Sequence, residues 1–123
     1  EFRPEISHGE ACALALPYTM FFNLKPATHK LFQIAKAMEL RVSGLNEYQG
    51  AVMAIEAIVS LVRDLELPLS LKALGLDEVV LEKMVDNLVN KYPKRTNNPR
   101  WYNYENMLEL YRTMFEGELP LEK

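Results

Sequence analysis

Between Ala11 and Phe22 the chain carries no charged side chain, and a helix that is apolar on every side is buried rather than laid on a surface. The stretch Ile6-Ser7-His8-Gly9-Glu10 opens it. Ser7 offers a hydroxyl to the orphan amides of a first turn, and Glu10 three residues later completes the capping-box spacing. Pro17 falls inside the run, where it removes one hydrogen bond and crowds the carbonyl four residues back, at about 3 kcal/mol unless the helix bends. A bend between Ala13 and Pro17 is therefore expected. It would either aim His8 at a site or simply follow the shape of the core.

Helical spacing continues after a break at Asn23-Leu24-Lys25. Pro26 suits a first helical position, and residues 26–39 place Ala27, Leu31, Ile34, Ala35 and Met38 on one face with Thr28, His29, Lys30, Gln33 and Lys36 on the other. Arg41-Val42-Ser43-Gly44 is the next break. Asn46 then caps a long helix over residues 46–65, whose apolar stripe runs from Tyr48 through Val52, Ile55, Ile58, Val59 and Val62 to Leu65. Its polar strip is narrow, Gln49, Glu56, Ser60 and Arg63, which predicts a central helix contacted on several sides. Leu67-Pro68 ends it, because the residue before a proline is pushed out of the α region.

A short helical turn over residues 69–74 is closed by Gly75, which fits a left-handed cap. Asp77 caps a helix over residues 77–92 with Val80, Leu81, Met84, Val85, Leu88 and Tyr92 inward. After the polar stretch 94–100, Asn103 caps a last helix in which Tyr104, Met107, Leu108, Tyr111, Met114 and Phe115 repeat at helical spacing, ended by Gly117 and Pro120. No strand alternation, internal repeat or glycine-rich phosphate loop occurs. The prediction is an all-α domain of about five to six helices, with a buried, proline-kinked first helix.

Composition narrows the function classes. With 123 residues, 49% of them hydrophobic, the chain suits one domain that buries about two-thirds of its unfolded surface. A formal net charge of −3 gives no electrostatic reason to bind nucleic acid or an anionic membrane. Lys94, Arg95 and Arg100 lie near Trp101 and Tyr102, but the cluster is short and reads as a solvated loop. One cysteine allows no internal disulfide, and no apolar run approaches the ~20 residues of a membrane span. A cytoplasmic protein is expected. Residues 1–5 read as a leader, either the place where a longer protein was cut or, at Glu1-Phe2, a cloning scar, with the domain over residues 6–123.

Candidate chemistry centres on His8. A neutral imidazole is a common metal ligand and a proton carrier near neutral pH, and Gly9 beside it lets a ligand or another chain come close. The competing reading is a histidine making a local hydrogen bond at a helix start. A metal site normally needs three or four N, O or S donors. This chain has two histidines, His8 and His29, and one cysteine, Cys12. Cys12 lies one turn after His8 but reads as a small hydrophobe, and His29 falls on the polar side of its helix. If His8 binds a metal, the other ligands lie outside these residues.

Ser7-His8-Gly9-Glu10-Ala11, followed by Leu16-Pro17 and Phe22-Asn23, resembles the segment that carries the last metal-ligating histidine in the iron-containing alcohol dehydrogenase family. Leu67-Pro68-Leu69-Ser70-Leu71-Lys72-Ala73-Leu74-Gly75-Leu76 and Asn98-Pro99-Arg100 extend the likeness over nearly the whole chain, in the family's order. Dehydroquinate synthases and glycerol dehydrogenases carry a similar His-Gly-Glu segment. The Leu-Pro after it and the Asn-Pro-Arg near the end favour the alcohol dehydrogenases.

The resemblance implies a helical domain that follows a nucleotide-binding α/β domain, with the metal held between them by one aspartate and three histidines. His8 takes the place of the final histidine, and the loop 94–98 borders the substrate side. The implied activity is hydride transfer between an alcohol, aldehyde or ketone and NAD(P), with Fe2+ as the metal, or Zn2+ in the sister activities. The implied partner is the nucleotide-binding domain, a homo-oligomer is compatible with the reading, and no nucleic acid or membrane is involved. No catalytic residue is expected within the fragment, its cofactor-binding residues are unknown, and the isolated chain is expected to be inactive. The rival is a helical interaction module without metal or redox role. It predicts a closed, polar surface, whereas the dehydrogenase reading predicts an exposed apolar flank near His8.

Overall fold

The computed structural model describes residues 8–91, 100 and 102–121, without the side chains of His8 and Lys91. Five α-helices follow in order: α1 (His8–Phe22), α2 (Thr28–Ala37), α3 (Glu47–Asp64), α4 (Leu81–Lys91) and α5 (Tyr104–Glu116), with a 3-10 turn at Glu78–Val80 leading into α4. Among the described residues there is no strand, and no helix is long and apolar enough to cross a membrane. The all-α class predicted from periodicity is the observed one.

Two helix pairs flank α1. α2 packs along α3, α4 along α5, and α1 touches both α3 and α5. Three apolar clusters record this arrangement. Leu14 and Tyr18 of α1 join Leu71, Leu81, Met114 and Phe115. Met20 and Phe21 pack against Leu24, Leu31, Ala51, Val52 and Ile55, and Phe22 joins Val85 and Met107. The scaffold is thus α1. The stripe width of α3 predicted that role for α3, but α3 packs against α2 and α1 and leaves Leu61 50% and Leu65 60% exposed.

α1 is also buried along one side rather than all round. Leu14, Pro17, Tyr18 and Phe22 are buried, while Gly9, Cys12, Leu16 and Thr19 are exposed. The exposed set recurs at three- and four-residue spacing, which is one helical face. The helix runs on through Pro17, so any bend there does not interrupt it. Ser7 and its capping box lie outside the described residues.

Local capping follows the sequence in some places and departs from it in others. Asn46 and Asn103 both form reciprocal capping boxes, with Gln49 and Asn106 respectively. α2 begins at Thr28 instead of Pro26. Residues 23–27 form consecutive turns first, held by Ala27 N–H to Asn23 O (2.9 Å) and by Thr28 Oγ1, which donates to Leu24 O (2.6 Å). Buried Leu24 anchors that turn. Asp77 makes no side-chain cap, and the chain enters α4 through the 3-10 turn. Within 69–74 there is no helix but a turn over residues 71–75, closed at Gly75 with φ +85°, the left-handed cap its sequence position suggests. Tyr92 and the loop 94–98 lie outside the described residues.

Candidate functional site

The candidate site is the described start of α1. His8 is the first described residue of the helix, and among the described residues a Cβ built on Gly9 meets nothing within 4 Å beyond its chain neighbours and its own helix backbone. Cys12 is exposed and Leu16 is 47% exposed on the same face. Among the described residues, the first turns of α1 therefore present an exposed face through Gly9, Cys12 and Leu16.

The remainder of α1 is held tightly. One turn before its end, the buried Tyr18 donates its hydroxyl proton to the carbonyl of Leu69 (2.5 Å), so the Leu67-Pro68-Leu69 stretch docks on α1. Burial raises the Tyr18 phenol above its ordinary value of 10.0, as it does for Tyr111. At the far end, Asn23 is only 8% exposed. Its Oδ1 accepts the backbone N–H of Arg100 (3.2 Å), while Arg100 Nη1 donates to the carbonyl of Phe22 (3.3 Å). The guanidinium also lies 4.2 Å from the centroid of the Phe22 ring, within cation–π range. Periodicity missed this contact. Phe22-Asn23 and Asn98-Pro99-Arg100 stand out as separate stretches, and nothing in a single sequence pairs residues 77 apart.

The other candidates do not join His8. His29 is exposed at the start of α2, with Nδ1 2.7 Å from Glu47 Oε2, the solvated surface histidine its position predicts. Among the described residues no group of three or more His, Cys, Asp or Glu side chains converges as a metal cage would. The donors described do not build a complete site, and what the described fold offers is one histidine at the beginning of α1. A groove of about 620 Å3 lies elsewhere, between Pro17 and Tyr18 of α1, Glu56, Ser60 and Arg63 of α3, and Leu119 and Leu121 of the C-terminal tail.

Comparison with known proteins decides the family. The model of the Fe-containing alcohol dehydrogenase family, C-terminal, matches residues 3–115. The chain belongs to that family. Its 1,3-propanediol dehydrogenase relative from Citrobacter freundii is 32% identical over 111 residues, covering 90% of this chain and 28% of the relative. The crystal structure of a 1,3-propanediol oxidoreductase superposes with a TM-score of 0.81 at 30% identity, covering 90% of this chain and 29% of that one. An alcohol dehydrogenase from Oenococcus oeni gives 0.82 at 27% identity, with the same coverage. The chain thus spans less than a third of the length of these family members, and its all-helical fold is that of their C-terminal domain.

Proposed function

We propose that the chain is the metal-side helical domain of an iron-dependent, NAD(P)-linked alcohol dehydrogenase and that His8 supplies one of the metal's ligands. The observation that carries this reading is the face of α1 that the described residues leave exposed, Gly9, Cys12 and Leu16, on the part of the helix that begins with His8. A self-sufficient interaction module would close that side with polar residues. A domain that shares its site with a nucleotide-binding partner leaves it uncovered.

In this reading the neutral imidazole of His8 gives a nitrogen lone pair, and the remaining donors come from residues outside these 123. The iron, when bound, acts as a Lewis acid on the alcohol or carbonyl oxygen while nicotinamide carries the hydride. This chain's own contribution is to hold His8 in place and, through the flank at Cys12 and Leu16, to seat the partner domain that excludes water. Zinc is the metal expected if the intact protein has a sister activity, glycerol dehydrogenase or dehydroquinate synthase. With one ligand the isolated chain holds metal weakly and turns over no alcohol.

The test is His8→Ala in the full-length protein. Metal content measured after gel filtration falls well below that of the unaltered enzyme, and turnover of an alcohol with NAD(P) is lost while the helical circular-dichroism signal is kept. Full metal content and unchanged turnover in the variant refute the assignment.

A further inference from the structure

His8 stands at one end of α1, and the opposite end is gripped by Arg100. The grip has three parts: the Arg100 amide on Asn23 Oδ1, the guanidinium on the Phe22 carbonyl, and the same guanidinium over the Phe22 ring. Phe22 is itself wedged against Val85 of α4 and Met107 of α5. Arg100 therefore ties the last turn of α1 to the approach of α5, and its cation sits where the exposed carbonyls of a helix C-terminus favour positive charge.

The geometry points to Arg100 and Asn23 as positioning residues for the His8 end of α1, a role that rests on His8 being a metal ligand. Tyr18, pinned to Leu69, acts as a fulcrum. Leu14, buried with it against Leu71, Leu81, Met114 and Phe115, holds the pivot nearer the middle, eight residues from Phe22 and six from His8, so at 1.5 Å per residue the arms are about 12 Å and about 9 Å. A slip of about 1.3 Å at the grip thus becomes about 1 Å at His8 for a stiff helix. Pro17, beside the fulcrum, removes one hydrogen bond between the two halves. It is buried, so the walls around it must carry the stiffness that the missing bond does not. Errors of about 1 Å in ligand or substrate placement cost on the order of 100-fold in rate, and loss of groups that orient a ligand typically costs about 10–100-fold in metal affinity.

Chelator competition for ferrous iron on the full-length protein tests this, with melting temperature recorded in parallel. Arg100→Lys keeps the charge but loses the planar fork, and Asn23→Ala removes the acceptor. Both weaken iron retention by about 10-fold with the helical signal intact. Asn23→Asp keeps an acceptor for the Arg100 amide and restores retention to near that of the unaltered protein. The inference is overturned if folded Arg100→Lys and Asn23→Ala proteins hold iron normally. It is equally overturned if Asn23→Asp fails to rescue and retention merely follows melting temperature. His8→Ala separates the two claims: normal iron retention in that variant removes the ligand reading and this role with it, whereas loss of iron there but not in the Arg100 and Asn23 variants removes this role alone.

Discussion

Replacing Gly50 by alanine sets two opposed effects against each other, and the structure decides the sign. A glycine within a helix is about 1 kcal/mol less favourable than alanine, so helix propensity by itself predicts a gain. Gly50 lies in the second turn of α3, buried against α2, and a Cβ placed there falls 2.3 Å from Phe32 Cδ1 and 2.7 Å from Cε1. Ordinary carbon contacts lie near 3.5–4.0 Å. The ring must move by more than 1 Å, and its Cδ1 is close to the backbone rather than at a free tip, so the shift is shared with α2. Overpacking of this kind costs about 1–3 kcal/mol.

The clash outweighs propensity, and Gly50→Ala is expected to destabilise the domain by about 1–2 kcal/mol, lowering the melting temperature by about 4–8 °C. Thermal and urea unfolding measure it. The diagnostic step is the double variant. On a Phe32→Ala background the obstruction is gone, and the same Gly50→Ala change should stabilise by up to about 1 kcal/mol. A single Gly50→Ala protein that melts higher than the parent, or a change of the same sign in both backgrounds, refutes the reasoning.

Three further outcomes follow from the hydrogen-bond and backbone geometry. Tyr18→Phe leaves the Leu69 carbonyl without its donor and should cost about 1–2 kcal/mol near neutral pH. The buried Tyr18 and Tyr111 phenols titrate above 10.0, so above that pH the folded state holds protons that the unfolded state has released. Their contribution is complete below pH 10.0 and is lost as pH rises through the folded values; urea titrations across alkaline pH should show the fall, shallower in Tyr18→Phe. Asn103→Ala removes the α5 capping box and should cost about 1 kcal/mol in the same assay. Glu66, at φ +58° just past α3, occupies the left-handed region that favours glycine, so Glu66→Gly should raise stability by up to about 1 kcal/mol.

Glu66 also shows where sequence reading stops. Periodicity found all five helices because each buries one face, and the two asparagine caps were legible from a single side chain at a helix start. The end of α3 was read from Leu67-Pro68 to within a residue, but the residues at which the chain turns after α2 and α3 were not legible. Both chains turn at a glutamate with positive φ, Glu39 and Glu66, held by backbone bonds such as Leu40 N–H to Ala35 O and Leu67 N–H to Val62 O. Glycine and proline are the signals such turns usually display, and here neither sits at the turning residue. The width of an apolar stripe misled in a related way. It counts apolar side chains without knowing whether a neighbour covers them, so α3 looked central while Leu61 and Leu65 face outward. At the candidate site, His8 was legible as the one imidazole at a helix mouth, and the grip that ends the same helix was not, because its two halves lie far apart in the chain.

The stretches on which the family likeness rests acquire a common physical meaning once folded. Leu67-Pro68-Leu69 meets α1 through Tyr18, Arg100 meets it through Phe22 and Asn23, and Leu16-Pro17 and Phe22-Asn23 are α1 itself. Each separate stretch is thus an attachment of one helix, and the attachments lie towards its C-terminal end. Nearer its start, Gly9, Cys12 and Leu16 are exposed among the described residues. A helix anchored along one side and exposed along the face through Gly9, Cys12 and Leu16 is suited to meet something outside the domain, since the anchoring interactions set its direction without occupying that face. A buried first turn would have served stability alone, by adding apolar contact. Leaving Leu16 and Cys12 in water gives up part of that stabilisation, which a second domain seated on the flank would recover.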